Sequence, residues 1–199
     1  MSRPIVDAPL RALHAIADVL DRLGRPFALV GGLAVSVRGE VRFTRDVDLA
    51  IASGDDVESE RLVHALREAG YETVAVVEQA ATGRLATVRL ASPTGIVVDL
   101  LLASCGIEPE VVSRAEPIDI GGRLLGVARA EDLLAMKVLS SSRRRRKDVE
   151  DALGLLRCNP ELDLAAVRSN LALIEERGYA RQQDLAAKLT DLLAELADE

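Results

Sequence analysis

Aromatic residues are scarce in this chain of 199 residues, which has no tryptophan, two tyrosines and two phenylalanines. Its hydrophobic core must therefore be aliphatic, and suitable residues are plentiful because hydrophobic side chains make up 49% of the sequence. So few rings also offer little surface on which the bases of a single-stranded nucleic acid can stack. The length allows one compact domain, or one domain with a small helical extension.

Cysteine and long apolar segments are also scarce. Two cysteines are too few for a disulfide framework and are typical of a reducing compartment. No apolar segment approaches the ~20 residues needed to cross a bilayer, and residues 1–9 lack the apolar segment of a signal peptide. We therefore predict a cytoplasmic protein with no membrane partner.

The net charge of −7 argues against binding of nucleic acid over the whole surface. A local basic cluster is nevertheless present and consists of Arg143, Arg144, Arg145, Arg146 and Lys147. One interpretation is a solvated cluster between two helices. The other is a contact for a triphosphate or for the backbone of an RNA acceptor.

Apolar periodicity and turn residues divide the chain into a mixed α/β half and a helical half. In the first half we predict helices at 10–23, 33–38, 56–69 and 108–114, strands at 27–30, 46–52, 72–77, 84–90 and 96–102, and a strand pair around 118–127. In the second half we predict helices at 130–141, 147–157, 163–177 and 180–197. The expected fold is α+β, with a mixed sheet flanked by helices at 1–128 and a C-terminal helical bundle at 129–199.

Three aspartates are the main candidates for a catalytic site. Asp46 and Asp48 are two residues apart on a predicted strand, so both side chains leave the same face of the sheet. Asp99 interrupts an apolar strand, where a buried carboxylate must be protonated, paired or bound to a metal. If the two strands are neighbours, the three carboxylates provide the hard oxygen ligands that suit Mg²⁺ or Mn²⁺. Such ions support phosphoryl transfer, and the three aspartates are therefore predicted to be metal ligands and catalytic residues.

Each of these features also has an ordinary structural interpretation. The Asp-x-Asp pair follows Thr44 and Arg45 and can belong to a turn. Asp99 can bond to backbone groups at the end of its strand. The presence of the pair and the third carboxylate in one chain favours the metal site over either alternative.

A candidate phosphate-binding segment precedes the Asp-x-Asp pair. Gly31 and Gly32 end a predicted strand and open a helix, where the backbone can approach a ligand closely and free N–H groups can face an anion. Arg42, Thr44 and Arg45 follow in a loop, and arginine can neutralise and bind phosphate. We predict that these five residues bind a nucleotide; a turn followed by a solvated loop is the alternative.

Together these motifs resemble the signature of the nucleotidyltransferase superfamily, and within it most closely that of AbiE-type and mycobacterial MenT-type toxins. The resemblance covers about residues 27–157. It rests on Gly31-Gly32-Leu33-Ala34-Val35 and on Arg42-Phe43-Thr44-Arg45-Asp46-Val47-Asp48-Leu49, with a later third aspartate. It implies a nucleotidyltransferase-like sheet, a nucleoside triphosphate substrate and a divalent cation.

The resemblance extends to a Met-Lys helix and a Lys-Asp-x-x-Asp segment. Lys137 borders the apolar face of a predicted helix and can reach inward to a triphosphate, or it can be a surface lysine whose amine reaches solvent. The resemblance favours the first role, as a catalytic and nucleotide-binding residue, and adds Asp148 to the catalytic residues. Asp148 can otherwise be an acid favoured by the dipole at a helix N-terminus. Asp151, one turn further on, is less favoured.

The toxins that this chain resembles imply transfer of NMP from an NTP to the 3′ end of tRNA, which blocks aminoacylation, and a cognate antitoxin protein as partner. In that interpretation the basic cluster at 143–147 binds RNA. One alternative is a small-molecule nucleotidyltransferase of the aminoglycoside-modifying type, in which a Gly-Gly pair is frequent; the basic cluster argues against its polycationic acceptor. Another is a non-catalytic nucleotide-binding module of the same fold, against which the three carboxylates argue.

Overall fold

The computed structural model describes residues 7–142 and 145–198. Its helices are α1 (Asp7–Arg22), α2 (Gly31–Arg38), α3 (Asp56–Glu68), α4 (Glu108–Arg114), α5 (Ala130–Ser140), α6 (Arg146–Cys158), α7 (Leu164–Glu176) and α8 (Leu185–Ala197). Its strands are β1 (Phe27–Val30), β2 (Val47–Ile51), β3 (Glu72–Glu78), β4 (Leu85–Ala91), β5 (Val97–Leu101), β6 (Glu116–Asp119) and β7 (Leu124–Val127). The predicted α+β class is confirmed.

The strands form one mixed sheet in the order β3-β4-β5-β2-β1-β7-β6. At its centre, β2 pairs in parallel with β5 and antiparallel with β1. β4 and β5 form an antiparallel hairpin, as predicted, and β3 continues the sheet antiparallel to β4. On the other side, β7 is parallel to β1 and antiparallel to β6. The strands that carry the candidate aspartates are therefore central neighbours.

One aliphatic core joins the sheet to the C-terminal helices. Leu49 and Leu100 on the central strands, Leu133 on α5 and Leu189 on α8 are all buried in the same cluster. Burial of each such side chain contributes roughly 1.5–3 kcal/mol. The predicted boundary near residue 128 falls between β7 and α5. Across residues 7–142 and 145–198, no helix has the length and apolar character needed to span a membrane.

Aspartate caps explain where three helices begin. Asp55 accepts a hydrogen bond from a backbone N–H in the first turn of α3, and Asp163 does the same for α7. Asp184 caps α8 in this way, so that helix begins at Leu185 and not at residue 180 as predicted. The residues before Asp184 form a turn that reaches the candidate site.

Candidate active site

Asp48 and Asp99 lie side by side at the centre of the sheet. The register of the parallel strands β2 and β5 pairs the Cα atoms of these two residues. Paired residues on neighbouring strands project from the same face. Burial, followed by the negative charge of Asp99, raises the pKa of Asp48 to about 6. The two carboxylates thus occupy one place on one face, as the metal-site hypothesis requires.

The first turn of α2 packs directly against Asp48. Gly31 has φ +61°, and a Cβ atom added there would lie 2.0 Å from Oδ2 of Asp48. The backbone N–H of Gly32 donates to the same oxygen at 3.3 Å. The Gly-Gly pair therefore makes room for a carboxylate, and an N–H group that we expected to face a phosphate faces Asp48.

The segment between α2 and β2 contributes three residues to the site. Arg42, Thr44 and Asp46 line the same cavity as Asp48 and Asp99. The segment thus adds the carboxylate of Asp46, the guanidinium of Arg42 and the hydroxyl of Thr44 to the site.

Arg45 lies on the other side of this segment. Its guanidinium carbon is 5.4 Å from the centroid of the Phe43 ring, and both side chains are exposed. Neither residue lines the cavity. Thr44 and Asp46, on either side of Arg45 in the chain, do line it. The structure therefore leaves Arg45 apart from the other predicted nucleotide-binding residues.

The cavity has a volume of about 330 Å³ and is lined by residues of α2, β2, β4, β5, α5 and α6. Of the residues predicted from the sequence, those that line it are Gly31, Gly32, Arg42, Thr44, Asp46, Asp48, Asp99, Lys137, Arg145, Lys147 and Asp148. The structure thus brings together residues that are far apart in the chain.

Lys137 and Arg42 form the cationic side of the cavity, and ion pairs with acidic residues of α6 hold them in place. Nζ of Lys137 lies 2.7 Å from Asp148 and 2.8 Å from Asp151. Arg42 reaches the Asp151 carboxylate through Nε at 2.5 Å and Nη2 at 2.9 Å. The Asp151 side chain is 2% exposed and that of Asp148 is 16% exposed. The sequence favours Asp148 over Asp151, yet Asp151 is the more buried residue and contacts both Lys137 and Arg42.

Arg89 is a site residue that sequence analysis missed. It is the Cα partner of Asp99 across the β4–β5 hairpin. Its Nε and Nη2 atoms donate to the two carboxylate oxygens of Asp99 at 2.9 and 2.7 Å. This bidentate bond raises the pKa of Arg89. The signal in the sequence was the hairpin itself, because counting back from its turn leads to Arg89 opposite Asp99.

The donor set suits a divalent cation without forming a complete metal site. Asp46, Asp48 and Asp99 offer hard carboxylate oxygens around one cavity. Within the described part of the chain, however, no group of three His, Cys, Asp or Glu side chains is arranged to hold a metal ion. The carboxylate of Asp99 has Arg89 as its partner. A cation here would take its remaining ligands from water and substrate phosphates, which is the usual coordination of Mg²⁺.

The predicted RNA-binding cluster reaches the cavity through Arg145 and Lys147. Nη1 of Arg145 lies 3.8 Å from Oδ2 of Asp148. Arg146 begins α6, is exposed and does not line this cavity. Arg143 and Arg144 lie outside the described residues.

A loop after β5 forms another wall of the cavity and is fixed by a buried acid that the sequence did not reveal. Glu108 is 1% exposed. It accepts hydrogen bonds from the backbone N–H groups of Ser104, Cys105 and Gly106 at 2.7, 2.7 and 2.8 Å. Ser104 and Cys105 line the cavity. Burial raises the pKa of the Cys105 thiol, which keeps it protonated and unreactive.

Comparison with known proteins identifies the family. The profile of the nucleotidyl transferase AbiEii toxin, from a type IV toxin–antitoxin system, matches residues 14–199. A comparison with curated proteins finds no match. The match to the family profile therefore includes both the sheet and the C-terminal helices.

Solved structures with similar coordinates include the antibiotic-resistance factor ANT(2″)-Ia. Its solution structure has a TM-score of 0.53 and 16% identity, covering 84% of this chain and 91% of that one. Its crystal structure with adenylyl-2″-tobramycin has a TM-score of 0.51 and 18% identity, covering 84% and 97%. At these identities the similarity shows the fold alone. MenT4, a nucleotidyltransferase toxin from Mycobacterium tuberculosis H37Rv, has a TM-score of only 0.33 and 15% identity, covering 100% of this chain and 99% of that one.

The family profile and the fold agree with the motifs read from the sequence. The profile covers most of the chain, and the fold is that of a nucleotidyltransferase. The predicted enzyme class is therefore confirmed: the chain is a nucleotidyltransferase, and it belongs to the AbiEii toxin family.

Proposed function

We propose that this nucleotidyltransferase uses Mg²⁺ or Mn²⁺ to transfer NMP from an NTP to the 3′ end of tRNA, which blocks aminoacylation. It would act in the cytoplasm as the toxin of a pair with a cognate antitoxin protein. The observation that carries the catalytic part is the pairing of Asp48 with Asp99 on neighbouring parallel strands, with Asp46 on the same cavity. The family supports the toxin role, and the resemblance to tRNA-modifying toxins supports the acceptor.

The cationic side of the cavity binds the triphosphate. Lys137 and Arg42 are both tied to buried Asp151, so their charges have fixed positions. Lysine provides a compact point charge and arginine a planar set of donors for phosphate oxygens. These groups stabilise the negative charge that grows on the departing pyrophosphate. Asp148 assists by holding the ammonium group of Lys137.

The acidic side of the cavity serves the reacting atoms. Asp46, Asp48 and Asp99 are the residues that would hold the cation, which when bound polarises the α-phosphate and offsets its charge. In this mechanism Asp99 accepts the proton of the attacking 3′ hydroxyl. The new bond joins that oxygen to the α-phosphorus, the bond between the α-phosphorus and the bridging oxygen breaks, and pyrophosphate leaves towards Lys137 and Arg42.

An aminoglycoside-type acceptor is less well supported by the charges around the cavity. The cationic side chains that line it are Arg42, Arg89, Lys137, Arg145, Lys147 and Arg181. The acidic ones are Asp46, Asp48, Asp99 and Asp148. The excess of cations repels a polycationic acceptor and attracts a polyanionic one. The similarity to ANT(2″)-Ia concerns the fold and does not change this preference.

A transfer assay tests the proposal. The protein is incubated with each α-labelled NTP, Mg²⁺ and total tRNA, and the position of the label is mapped by ribonuclease digestion. We expect label at the 3′ end of tRNA that depends on the cation. Metal-dependent nucleotide binding without transfer to tRNA would contradict the proposed acceptor.

Replacing Asp48 tests its catalytic role. Asp48→Asn keeps the size of the side chain and removes its charge, so transfer should fall by about 10²-fold or more. Thermal stability should stay the same or rise, because the variant removes repulsion from Asp99. Asp191→Asn, an exposed change on α8 outside the cavity, is the control. Transfer by the Asp48 variant at the rate of the control would contradict the role.

A further inference from the structure

A second cavity of about 770 Å³ adjoins the first one at Asp99. Arg89, Asp99, Arg145 and Arg181 line both cavities. Lys137 lines the first cavity and not the second, as do Gly31, Gly32, Arg42 and Thr44. The second cavity thus extends from Asp99, the proposed acceptor of the hydroxyl proton, and it does not include Lys137 and Arg42, which are assigned to the triphosphate.

The three arginines come from separate parts of the fold. Arg89 lies on β4, Arg145 between α5 and α6, and Arg181 between α7 and α8. Arg181 donates through Nη2 to the carbonyl of Ser104 at 3.2 Å, which holds it at the junction of the cavities. The side chains of Arg89 and Arg145 are 48% and 66% exposed. Each guanidinium has five N–H donors, so all three retain donors for a ligand.

The backbone at Arg181 has an unusual conformation. Arg181 and Gln182 have φ angles of 55° and 59°, in the left-handed region that residues other than glycine rarely adopt. Such conformations cost free energy, and they occur where the surrounding structure fixes them, often at ligand sites. Both residues line the second cavity. The turn between α7 and α8 therefore directs Arg181 to this cavity against its local preference.

We propose that Arg89, Arg145 and Arg181 bind the phosphodiester groups that precede the 3′-terminal nucleotide of the acceptor strand; this rests on the proposed function. The acidic side chains of the second cavity are Glu78 and Asp99, and Asp99 is already paired with Arg89. The charged side chains that remain are Glu78, Arg145 and Arg181, so the net charge is positive and repels a cationic acceptor. The planar donors of guanidinium match phosphate oxygens. A strand with its terminal hydroxyl at Asp99 places its preceding phosphates in this cavity.

Binding of a single-stranded RNA octamer with a 5′ fluorophore tests the proposal by anisotropy at several salt concentrations. Arg145→Gln and Arg181→Gln should each weaken binding by about 10-fold and reduce the salt slope by about 0.7 for each lost phosphate contact. Glutamine fits the backbone at position 181, because Gln182 has the same conformation. Arg168→Gln, on the exposed face of α7 and outside both cavities, is the matched control and should bind as the wild type does. Unchanged slopes in both variants would overturn the proposal.

Replacing a charged phosphodiester by a neutral linkage shows which phosphate Arg181 contacts. In three further octamers, one of the last three phosphodiesters is replaced in turn by a methylphosphonate. At least one replacement should weaken binding to the wild type and have no further effect on Arg181→Gln. If every replacement weakens both proteins equally, Arg181 does not contact these phosphates and the proposal fails.

Transfer assays separate this proposal from the proposed function. If the wild type labels tRNA and both arginine variants label it at the wild-type KM, the arginines do not bind the acceptor strand and the proposed function stands. If tRNA is not labelled but a methylphosphonate weakens octamer binding to the wild type and not to Arg181→Gln, the phosphodiester contact stands and the tRNA acceptor is wrong. NTP binding, measured separately, should be unchanged in Arg181→Gln.

Discussion

At the scale of single residues, Gly31 shows that a structure can require glycine for a reason other than the predicted one. The sequence predicted a glycine that lets a phosphate approach the backbone. In the structure the group that approaches is the carboxylate of Asp48, and the positive φ of Gly31 adds a second requirement for glycine. The glycine is thus part of the arrangement that positions Asp48, a proposed catalytic residue.

We predict that Gly31→Ala abolishes most of the activity. The added Cβ would lie 2.0 Å from Oδ2 of Asp48, so the carboxylate must move. A displacement of about 1 Å at a reacting group can cost about 10²-fold in rate, and we expect that loss in transfer kinetics. The left-handed backbone should also cost about 1–2 kcal/mol of unfolding free energy.

Gly24→Ala is the matched control for this backbone cost. Gly24 has φ +62°, and nothing lies within 4 Å of an added Cβ. Its variant should lose similar stability in urea unfolding and transfer nucleotides at the wild-type rate. Equal transfer rates in the two variants would show that contact with Asp48 does not matter.

Arg89 shows what residue patterns could not provide. Alternation along a strand is a local property, so Asp46 and Asp48 could be placed on one face from the sequence alone. The position opposite Asp99 depends instead on the turn of the hairpin. A register shift of one residue would place Val88 or Leu90 there in place of Arg89.

At the scale of secondary-structure elements, Asp151 joins three of them. It lies on α6, contacts Lys137 on α5, and contacts Arg42 in the segment before β2. Helical periodicity predicted α5 and α6 nearly to the residue. Periodicity could not indicate which loop α6 packs against, because Arg42 and Asp151 are 109 residues apart in the chain. The sequence therefore did not favour Asp151.

We predict that Asp151→Asn loosens this junction. Removing the charge leaves Arg42 without its carboxylate and should lower the free energy of unfolding by about 3 kcal/mol. Because the two cations then lose their fixed positions, the KM for NTP should rise more than kcat falls. Urea unfolding and steady-state transfer kinetics measure the two effects.

Asp148→Asn provides the comparison for stability. Asp148 is more exposed than Asp151, and Lys137 keeps its bond to Asp151 in this variant. Its loss of unfolding free energy should therefore be the smaller one. If Asp148→Asn destabilises the protein more, Asp151 is not the residue that holds the junction.

At the scale of the whole molecule, the predicted boundary near residue 128 describes a change in architecture. Strands occur before it and only helices after it in the described residues. The hydrophobic core does not divide there, since α5 and α8 bury Leu133 and Leu189 in the same cluster as Leu49 and Leu100 of the sheet. The sequence predicted the change in pattern, but it could not show that both halves share one core.

We predict that the two halves unfold together. A shared core links their stabilities, and elements that share one core tend to unfold in one cooperative transition. The lack of tryptophan makes this measurable by tyrosine fluorescence, because buried Tyr71 lies in the first half and buried Tyr179 in the second. Tyr71→Phe and Tyr179→Phe leave one reporter each and keep the buried ring. In each single-tyrosine protein, the fluorescence and far-UV circular dichroism transitions in urea should have the same midpoint. A fluorescence midpoint that departs from the circular dichroism midpoint in either protein would mean that the sheet and the helical half are separate folding units.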